Sequence, residues 1–372
     1  MTTTTDQALN RIRPDVRAMH AYVVQPAEGM LKMDAMENPF TLPPELQRAL
    51  GERLGALALN RYPGARSDDL KAALAQYADM PAGCSMALGN GSDELIGLVT
   101  QACAQPWDAA AKRPVVLAPM PGFVMYAVSA QLLGLEFVGV PLTADFELDV
   151  PAMLATIADY RPALTHIAYP NNPTATLWNE AAVQAVVDAV GAQGGIVLID
   201  EAYQPFASRS WIDRMRAEPE RNAHVLLMRT LSKFGLAGVR LGYLMGPAVL
   251  VAEVDKLRPP YNVSVLNCEA ALFALEHADV FAAQAAELRA QRDPLVTRLR
   301  ALPGVERVWD SEANMVLVRV QDAAKTFAGM RERKVLIKNV STMHPLLAQC
   351  LRLTVGTADE NACMLAALQA SL

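Results

Sequence analysis

Between about residue 90 and residue 260 the apolar and polar positions follow two alternating rhythms. Short apolar runs, rich in β-branched residues, end in Gly, Pro, Asn or Asp, and amphipathic stretches separate them. The short runs predict strands over 115–118, 136–140, 165–169, 196–199, 224–228 and 240–245, and the intervening pattern predicts helices such as 92–104, 180–190 and 248–257. Continuous apolar strands joined by helices belong to a mainly parallel sheet covered on both faces, an α/β domain. After the break Arg258-Pro259-Pro260, a long helical region over 263–301 leads to strands over 315–320, 335–337 and 351–354 separated by helices. That second rhythm predicts a smaller α+β domain. The first forty residues carry no long periodic element and are expected to pack on the smaller domain or to reach a partner subunit. The expected division is an N-terminal segment over 1–45, a large domain over 46–260 and a small domain over 261–372.

Composition narrows the function classes. A chain of 372 residues is long enough for two unequal domains whose cores need neither disulfides nor a metal. Although 52% of the residues are hydrophobic, charged residues interrupt every stretch. None reaches the ~18 to 20 apolar residues that a membrane span requires. The start, Met1-Thr2-Thr3-Thr4-Thr5-Asp6, lacks the basic end and apolar segment of a secretory signal, so a soluble, cytoplasmic protein is expected. Five cysteines, an odd number without a Cys-x-x-Cys pair, argue against a disulfide framework and a zinc site, and reduced, mostly buried thiols are expected. A net charge of −6 with no basic stripe argues against nucleic acid as a partner.

In an open parallel sheet, ligands bind beyond the carboxyl ends of the strands. Four groups stand there. The run Ile196-Val197-Leu198-Ile199 ends in Asp200-Glu201-Ala202-Tyr203. A carboxylate at a strand end can keep a pyridine nitrogen protonated and so make the ring an electron sink, although such an Asp also serves as a helix cap or a Mg²⁺ ligand. The run ending in Met228-Arg229-Thr230 delivers Ser232-Lys233 into a loop with Gly235, and Arg240 follows seven residues after the lysine. An amine that must form a Schiff base has to be partly desolvated, while Thr230, Ser232 and Arg240 suit a phosphate. Taken alone, Ser-Lys reads as a solvated loop; Asp200 on the preceding strand changes that reading. The turn Gly89-Asn90-Gly91 opens a helix at Ser92 and Asp93, whose backbone N–H groups make either an anion site or a plain N-cap. No Gly-Lys-Ser/Thr follows, so a nucleotide P-loop is excluded. Lastly, Asn171-Asn172-Pro173-Thr174 is a turn whose amide can bond a ring hydroxyl.

These groups in this order resemble the fold-type I pyridoxal-phosphate-dependent aminotransferases. Further motifs resemble the histidinol-phosphate aminotransferase branch of that family: Glu37-Asn38-Pro39, Asn60-Arg61-Tyr62-Pro63, Pro121-Gly122-Phe123-Val124-Met125-Tyr126 and Leu351-Arg352-Leu353-Thr354-Val355-Gly356. The resemblance covers nearly the whole chain. It implies that Lys233 holds pyridoxal 5′-phosphate, that Asp200 pairs with the pyridine nitrogen, and that Tyr203 and Asn172 bond the ring hydroxyl oxygen. Phe123 would stack on the ring, and Ser92, Asp93, Ser232 and Arg240 would surround the phosphate. Tyr62 would reach the phosphate site of the neighbouring subunit in a homodimer with shared active sites. Arg352 would bind the acidic group of the substrate, with Tyr22 and Asn172 helping and Lys338 standing where many members carry a second arginine. Two other departures are Ala175, which must follow a backbone path usually taken by glycine, and a Lys233 to Arg240 interval one residue shorter than the commonest spacing.

The implied reaction is ping-pong transamination between a small-molecule amino donor, histidinol phosphate in this branch, and 2-oxoglutarate. An aromatic or broad-range aminotransferase and a threonine-phosphate decarboxylase share most of these motifs. A non-catalytic sensor built on the same fold would carry a DNA-binding domain, and the forty preceding residues show no helix-turn-helix pattern. His344, in Met343-His344-Pro345, is read as structural and left outside the site.

Overall fold

This computed structural model describes residues 4–19, 21, 25–105 and 113–372. After a two-residue strand β1 (Leu31–Lys32), seven strands build the main sheet: β2 (Cys84–Gly89), β3 (Val115–Met120), β4 (Glu136–Pro141), β5 (Leu164–Ala168), β6 (Ile196–Asp200), β7 (Val225–Thr230) and β8 (Gly242–Pro247). Their order is β2-β8-β7-β6-β5-β3-β4, and only β8 runs against the others. Period-two alternation divides the side chains between two apolar layers. Val197, Ile199, Val225 and Leu227 enter the core on one face, while Leu198, Leu226 and Met228 enter the core on the other. Burying each such side chain contributes about 1.5–3 kcal/mol, and β5 and β7 are buried along their whole length. The helix Glu180–Ala192 starts on a side-chain cap: Asn179 Oδ1 accepts from Ala181 N and Ala182 N, a contact worth about 1 kcal/mol.

A second, antiparallel sheet of order β12-β13-β10-β9 contains β9 (Val305–Val308), β10 (Met315–Val320), β12 (Lys338–Asn339) and β13 (Cys350–Thr354). One face, with Val316, Val318, Leu351 and Leu353, packs on Leu295 and Leu299, Met330, and Met364 and Leu368, each pair or residue from a different helix. From the other, Leu317, Cys350 and the adjoining Trp309 join the main core, where Trp309 meets Phe146 with ring centroids 4.9 Å apart. The arrangement is the α/β class with a smaller α+β part.

Several details depart from the sequence reading for identifiable reasons. The strand expected from residue 240 begins at Gly242 because Arg240 is left-handed, with φ 54°, which ends a short turn and cannot continue a ladder. The helical region over 263–301 breaks at His277 into Val265–Glu276 and Ala278–Arg300. Strands β1, β2, β9 and β12 lie outside the expected set. The N-terminal segment pairs β1 in parallel with β11 (Val335–Leu336), but Arg13, at the head of the short helix Pro14–Ala18, turns to the main sheet's layer instead. There the Arg13 guanidinium donates to the carbonyls of Gln131 and Leu132 at the end of helix Met125–Leu132, where carbonyls lack intrahelical partners. All five cysteines are unpaired; Cys268 and Cys350 are buried, whereas Cys363 is exposed. Among the described residues no helix is long and apolar enough to cross a membrane.

The end of β6 separates two carboxylates by the same alternation. Asp200 lies on the face of Leu198, and Glu201 points to the opposite layer. There Glu201 accepts from Arg229 Nε at 2.9 Å and from Ser210 and Trp211 N, an ion pair that is almost wholly buried. Removing one member of a buried pair costs about 3–5 kcal/mol because the other charge is stranded. Glu201→Ala is therefore expected to lower the urea midpoint by the equivalent of about 3 kcal/mol or more, with Glu201→Gln intermediate. An unchanged midpoint in both variants would show that the pair contributes nothing to the fold.

Candidate active site

The site gathers at the carboxyl ends of β5, β6 and β7. Beyond β7, residues Ser232–Leu236 form a tight turn in which Gly235 adopts φ 138°. A Cβ there would lie 2.8 Å from Phe281 Cδ1 and 2.9 Å from Asn38 Nδ2, so only glycine fits. The turn aims Lys233 inward, where Nζ donates to Ala35 O at 2.8 Å and lies 5.9 Å from the centre of the Tyr203 ring. Burial, helped by the positive Arg352, pulls the amine down to about 8. At pH 7 that leaves roughly one amine in ten neutral, against roughly one in three thousand for a solvated lysine.

Asp200 is buried and both of its oxygens are engaged: Oδ2 accepts from Tyr126 OH at 2.7 Å and Oδ1 from Ala202 N at 3.0 Å. Burial pushes its pKa up to about 6, against the pull of those two donors, so the carboxylate is still mainly ionised at pH 7. Tyr203, also buried, is raised by desolvation while Arg352 opposes the shift. Arg352, on β13, donates from Nη1 to Asn172 Oδ1 at 2.6 Å and from Nη2 to Asp34 O at 2.8 Å. Directly across the ladder from Arg352 stands Lys338 of β12, which sets two cations side by side.

A second cluster is a cradle for an anion. Arg240 Nη1 donates to Ser232 Oγ at 3.4 Å, and the Asp93 carboxylate lies 3.7 Å from Arg240 Nη2. Gly91, with φ 86°, heads helix Ser92–Ala102 without any side-chain cap. A Cβ on Gly91 would come within 2.6 Å of Arg240 Nη2, so the glycine is what admits the guanidinium to the helix end. Phe123 stands edge-on to Tyr126, 5.7 Å between ring centroids.

The structure thus links Lys233 with Tyr203, Arg352 with Asn172 and Lys338, and Ser232 with Arg240 and Asp93, and it puts Asp200 in the same buried region. Tyr62 stands apart, 76% exposed and stacked on Tyr261 at 4.3 Å. Tyr22 lies outside the described residues. His344 accepts from Leu346 N through Nδ1, capping a short turn. Ala175 has φ 61° and is fully buried. A left-handed alanine costs about 1–2 kcal/mol, but a glycine would forfeit a buried methyl and lose more chain entropy, about 1 kcal/mol or more together, so alanine is tolerated. The sequence reading missed Tyr126 as a partner of Asp200 and the main-chain oxygens of Asp34 and Ala35. Only Tyr126 left a signal, as an aromatic residue three positions after Phe123 on the same turn. Among the described residues no cluster of His, Cys, Asp and Glu is arranged to hold a metal ion.

A desolvated lysine, a strand-end carboxylate and an uncapped helix end with an arginine, all at one edge of a parallel sheet, define a fold-type I transferase of the kind built around pyridoxal phosphate. The chain belongs to the aminotransferase class I and II family, whose model matches residues 28–368. It is 77% identical over the full length of both chains to the histidinol-phosphate aminotransferase of Paracidovorax citrulli (strain AAC00-1). Among solved structures it is similar to the histidinol-phosphate aminotransferase of Sinorhizobium meliloti in complex with pyridoxal-5′-phosphate, with TM-score 0.79, 24% identity and 97% of each chain covered. The fold alone does not separate chemistries. The L-threonine-O-3-phosphate decarboxylase of Porphyromonas gingivalis superposes with TM-score 0.75 at 20% identity, covering 92% of this chain and 99% of that one.

The depressed lysine gives a direct test. Apo-protein exposed to pyridoxal phosphate and then borohydride should carry the label on Lys233, with capture rising through a midpoint near pH 8 rather than the ~10.4 of a solvated amine. Label dispersed over other lysines, or a midpoint near that of a solvated amine, would remove Lys233 from the centre of the site.

Proposed function

We propose that this protein is a pyridoxal-phosphate aminotransferase that moves the amino group of histidinol phosphate to 2-oxoglutarate, a cytoplasmic step of histidine biosynthesis. The observation that carries the reaction type is Lys233: its amine is drawn out of solvent to Ala35 O beside Tyr203 and pulled toward neutrality. The relatives' name and the adjacent cations Arg352 and Lys338 support the substrate.

When bound, pyridoxal phosphate supplies an electron sink for charge developing at the substrate's α carbon. The residues present fit it. Asp200, mainly ionised at neutral pH, would hold the proton of the ring nitrogen, Tyr203 OH and the Asn172 amide would donate to the ring hydroxyl oxygen, and Phe123 would pack on the ring. Ser232 and Arg240, with the N–H groups of Ser92 and Asp93, would bind the phosphate. The Asp93 carboxylate repels such a ligand, so its contribution comes from its main chain and from orienting Arg240. Lys233 Nζ would serve as the base that takes the proton from the substrate's α carbon and as the acid that gives it back, which an amine near pKa 8 can do in both directions. Arg352 and Lys338 bind the substrate's acidic group.

A phosphate monoester carries close to two negative charges at pH 7. Lys338→Ala is accordingly expected to raise KM for histidinol phosphate about tenfold, the equivalent of ~1.4 kcal/mol, with kcat nearly unchanged, because it removes binding shared by ground and transition states. Lys338→Arg should retain low KM. A turnover panel of histidinol phosphate, phenylalanine, tyrosine and threonine phosphate, with carbon dioxide release measured in parallel, separates the rivals. Preference for an aromatic donor, or decarboxylation, would overturn the substrate.

The same reading makes the enzyme a homodimer with shared sites. Pro63 restricts Tyr62 to an extended conformation, and its ring projects into solvent on the Tyr261 stack, a poor place for a large aromatic residue unless another surface covers it. Subunits carrying Tyr62→Phe and subunits carrying Lys233→Ala, each impaired alone, should regain activity when mixed, since one site of the mixed dimer then holds neither lesion. Absence of recovery despite proven exchange and a clear Tyr62→Phe defect would confine Tyr62 to its own subunit.

A further inference from the structure

We propose that Tyr126, braced by the imidazole of His166 lying flat against it, is a positioning residue that fixes the Asp200 carboxylate in the orientation its ligand requires. The inference rests on the pyridoxal-phosphate reading for the identity of that ligand, but the contacts belong to the chain alone.

A carboxylate at the end of a strand can rotate about its last bond unless both oxygens are held. Here Ala202 N holds Oδ1, and the Tyr126 hydroxyl holds Oδ2 from the helix Met125–Leu132. The remaining titratable groups acting on Asp200 work against ionisation: Asp93 from the helix Ser92–Ala102 and Glu201 next along the chain both favour the protonated acid. Nearby Tyr203 is itself held neutral by burial. Tyr126 is the side-chain donor that opposes them, among the described residues, and a hydrogen bond to a charged acceptor contributes roughly 1.5–3 kcal/mol.

The Tyr126 hydroxyl works only if its ring is fixed, and the packing supplies that. His166 of β5 pairs with Leu198 of β6, so its side chain emerges on the face that carries Asp200. Its ring is fully buried and lies 4.3 Å from the Tyr126 ring, 5° from parallel, while Phe123 meets Tyr126 edge-on. Among the described residues neither His166 nitrogen has a hydrogen-bond partner, and burial pulls its pKa down to about 3, so it is a neutral plate at physiological pH. A neutral ring adds no charge beside Asp200. A protonated one would compete with Tyr126 for control of the carboxylate.

The test reads Asp200 without the cofactor. Apo-protein labelled with ¹³C at aspartate carboxyl carbons is titrated by NMR, and the Asp200 resonance is assigned by its loss in Asp200→Asn. In Tyr126→Phe, which keeps the ring, the midpoint should rise by about one pH unit or more, and the holoenzyme should lose roughly tenfold or more in kcat with KM for the amino donor within about twofold. Pyridoxal phosphate should also dissociate more readily, by roughly tenfold. His166→Phe should behave as wild type and His166→Leu should move partway toward Tyr126→Phe. An Asp200 midpoint and cofactor affinity unchanged in Tyr126→Phe would overturn the role of Tyr126, and wild-type values in His166→Leu would overturn the brace. If the wild-type chain bound no pyridoxal phosphate, the functional reading would fall, while the apo titration would still decide whether Tyr126 governs Asp200.

Discussion

A strand covered on both faces cannot carry charge along its length, because each ionised group taken from water without a partner costs several kcal/mol. In β6 the consequence is visible residue by residue, since its apolar side chains alternate between two cores and its carboxylate is its last residue; the polar side chains inside the ladders of β5 and β7 are either uncharged, as Thr165, His166 and Thr230, or ion-paired, as Arg229 with Glu201. Asp200 and Glu201 occupy consecutive positions at that edge and fall to opposite faces. Glu201 is neutralised by Arg229 of the neighbouring strand; Asp200 has no cationic partner among the described residues and is available to a ligand. The site depends on this partition, since a strand end one residue shorter or longer would exchange the two roles.

Desolvation then sets the working range. The same burial that pulls Lys233 down to about 8 pushes Asp200 up to about 6. Between those values a useful fraction of Lys233 is neutral while Asp200 is anionic, which is the combination a nucleophilic amine and an electrostatic partner require. Above the upper value the neutral amine predominates; below the lower one the carboxylate loses its charge. The site residues Lys233 and Asp200 therefore define a neutral window by themselves.

Much of this was legible in the sequence because it is local. Apolar runs that end in Asp200 or Thr230, the turn at Gly91 and the turn around Asn172 each announce their geometry through residues next to one another. The strands that were missed lack such signals. β2, Cys-Ser-Met-Ala-Leu-Gly, has no β-branched residue at all, and β12 is two residues long and is held by its ladder with β13. The ends of β8 and of Val265–Glu276 were displaced by single residues, Arg240 and His277, whose backbone angles answer to tertiary packing rather than to propensity. Tyr126 stands in the motif Pro121 to Tyr126, yet its bond to Asp200 joins residues 74 positions apart, and nothing local identifies that partner.

The contacts least accessible to sequence reasoning are those made by main-chain oxygens, and here they tie the N-terminal segment to the chemistry. Leu31 and Lys32 pair with Val335 and Leu336, and Thr354 N donates to Met33 O, so the segment is seated on the smaller sheet before it reaches the site. Met33 is buried in that sheet's core, which fixes the register, because a slip of one residue would expose it. The next two carbonyls are then in place: Asp34 O accepts from Arg352 and Ala35 O from Lys233. Met36 follows with φ 52° and is held at both ends, its N–H on Thr354 Oγ1 and its carbonyl on Asn314. A left-handed methionine is unfavourable by itself, so the two side-chain bonds and the pairing upstream must outweigh it. What positions the lysine's hydrogen-bond partner is therefore the docking of a two-residue strand some two hundred residues away in sequence, and the smaller sheet serves the site through that strand as well as through Arg352.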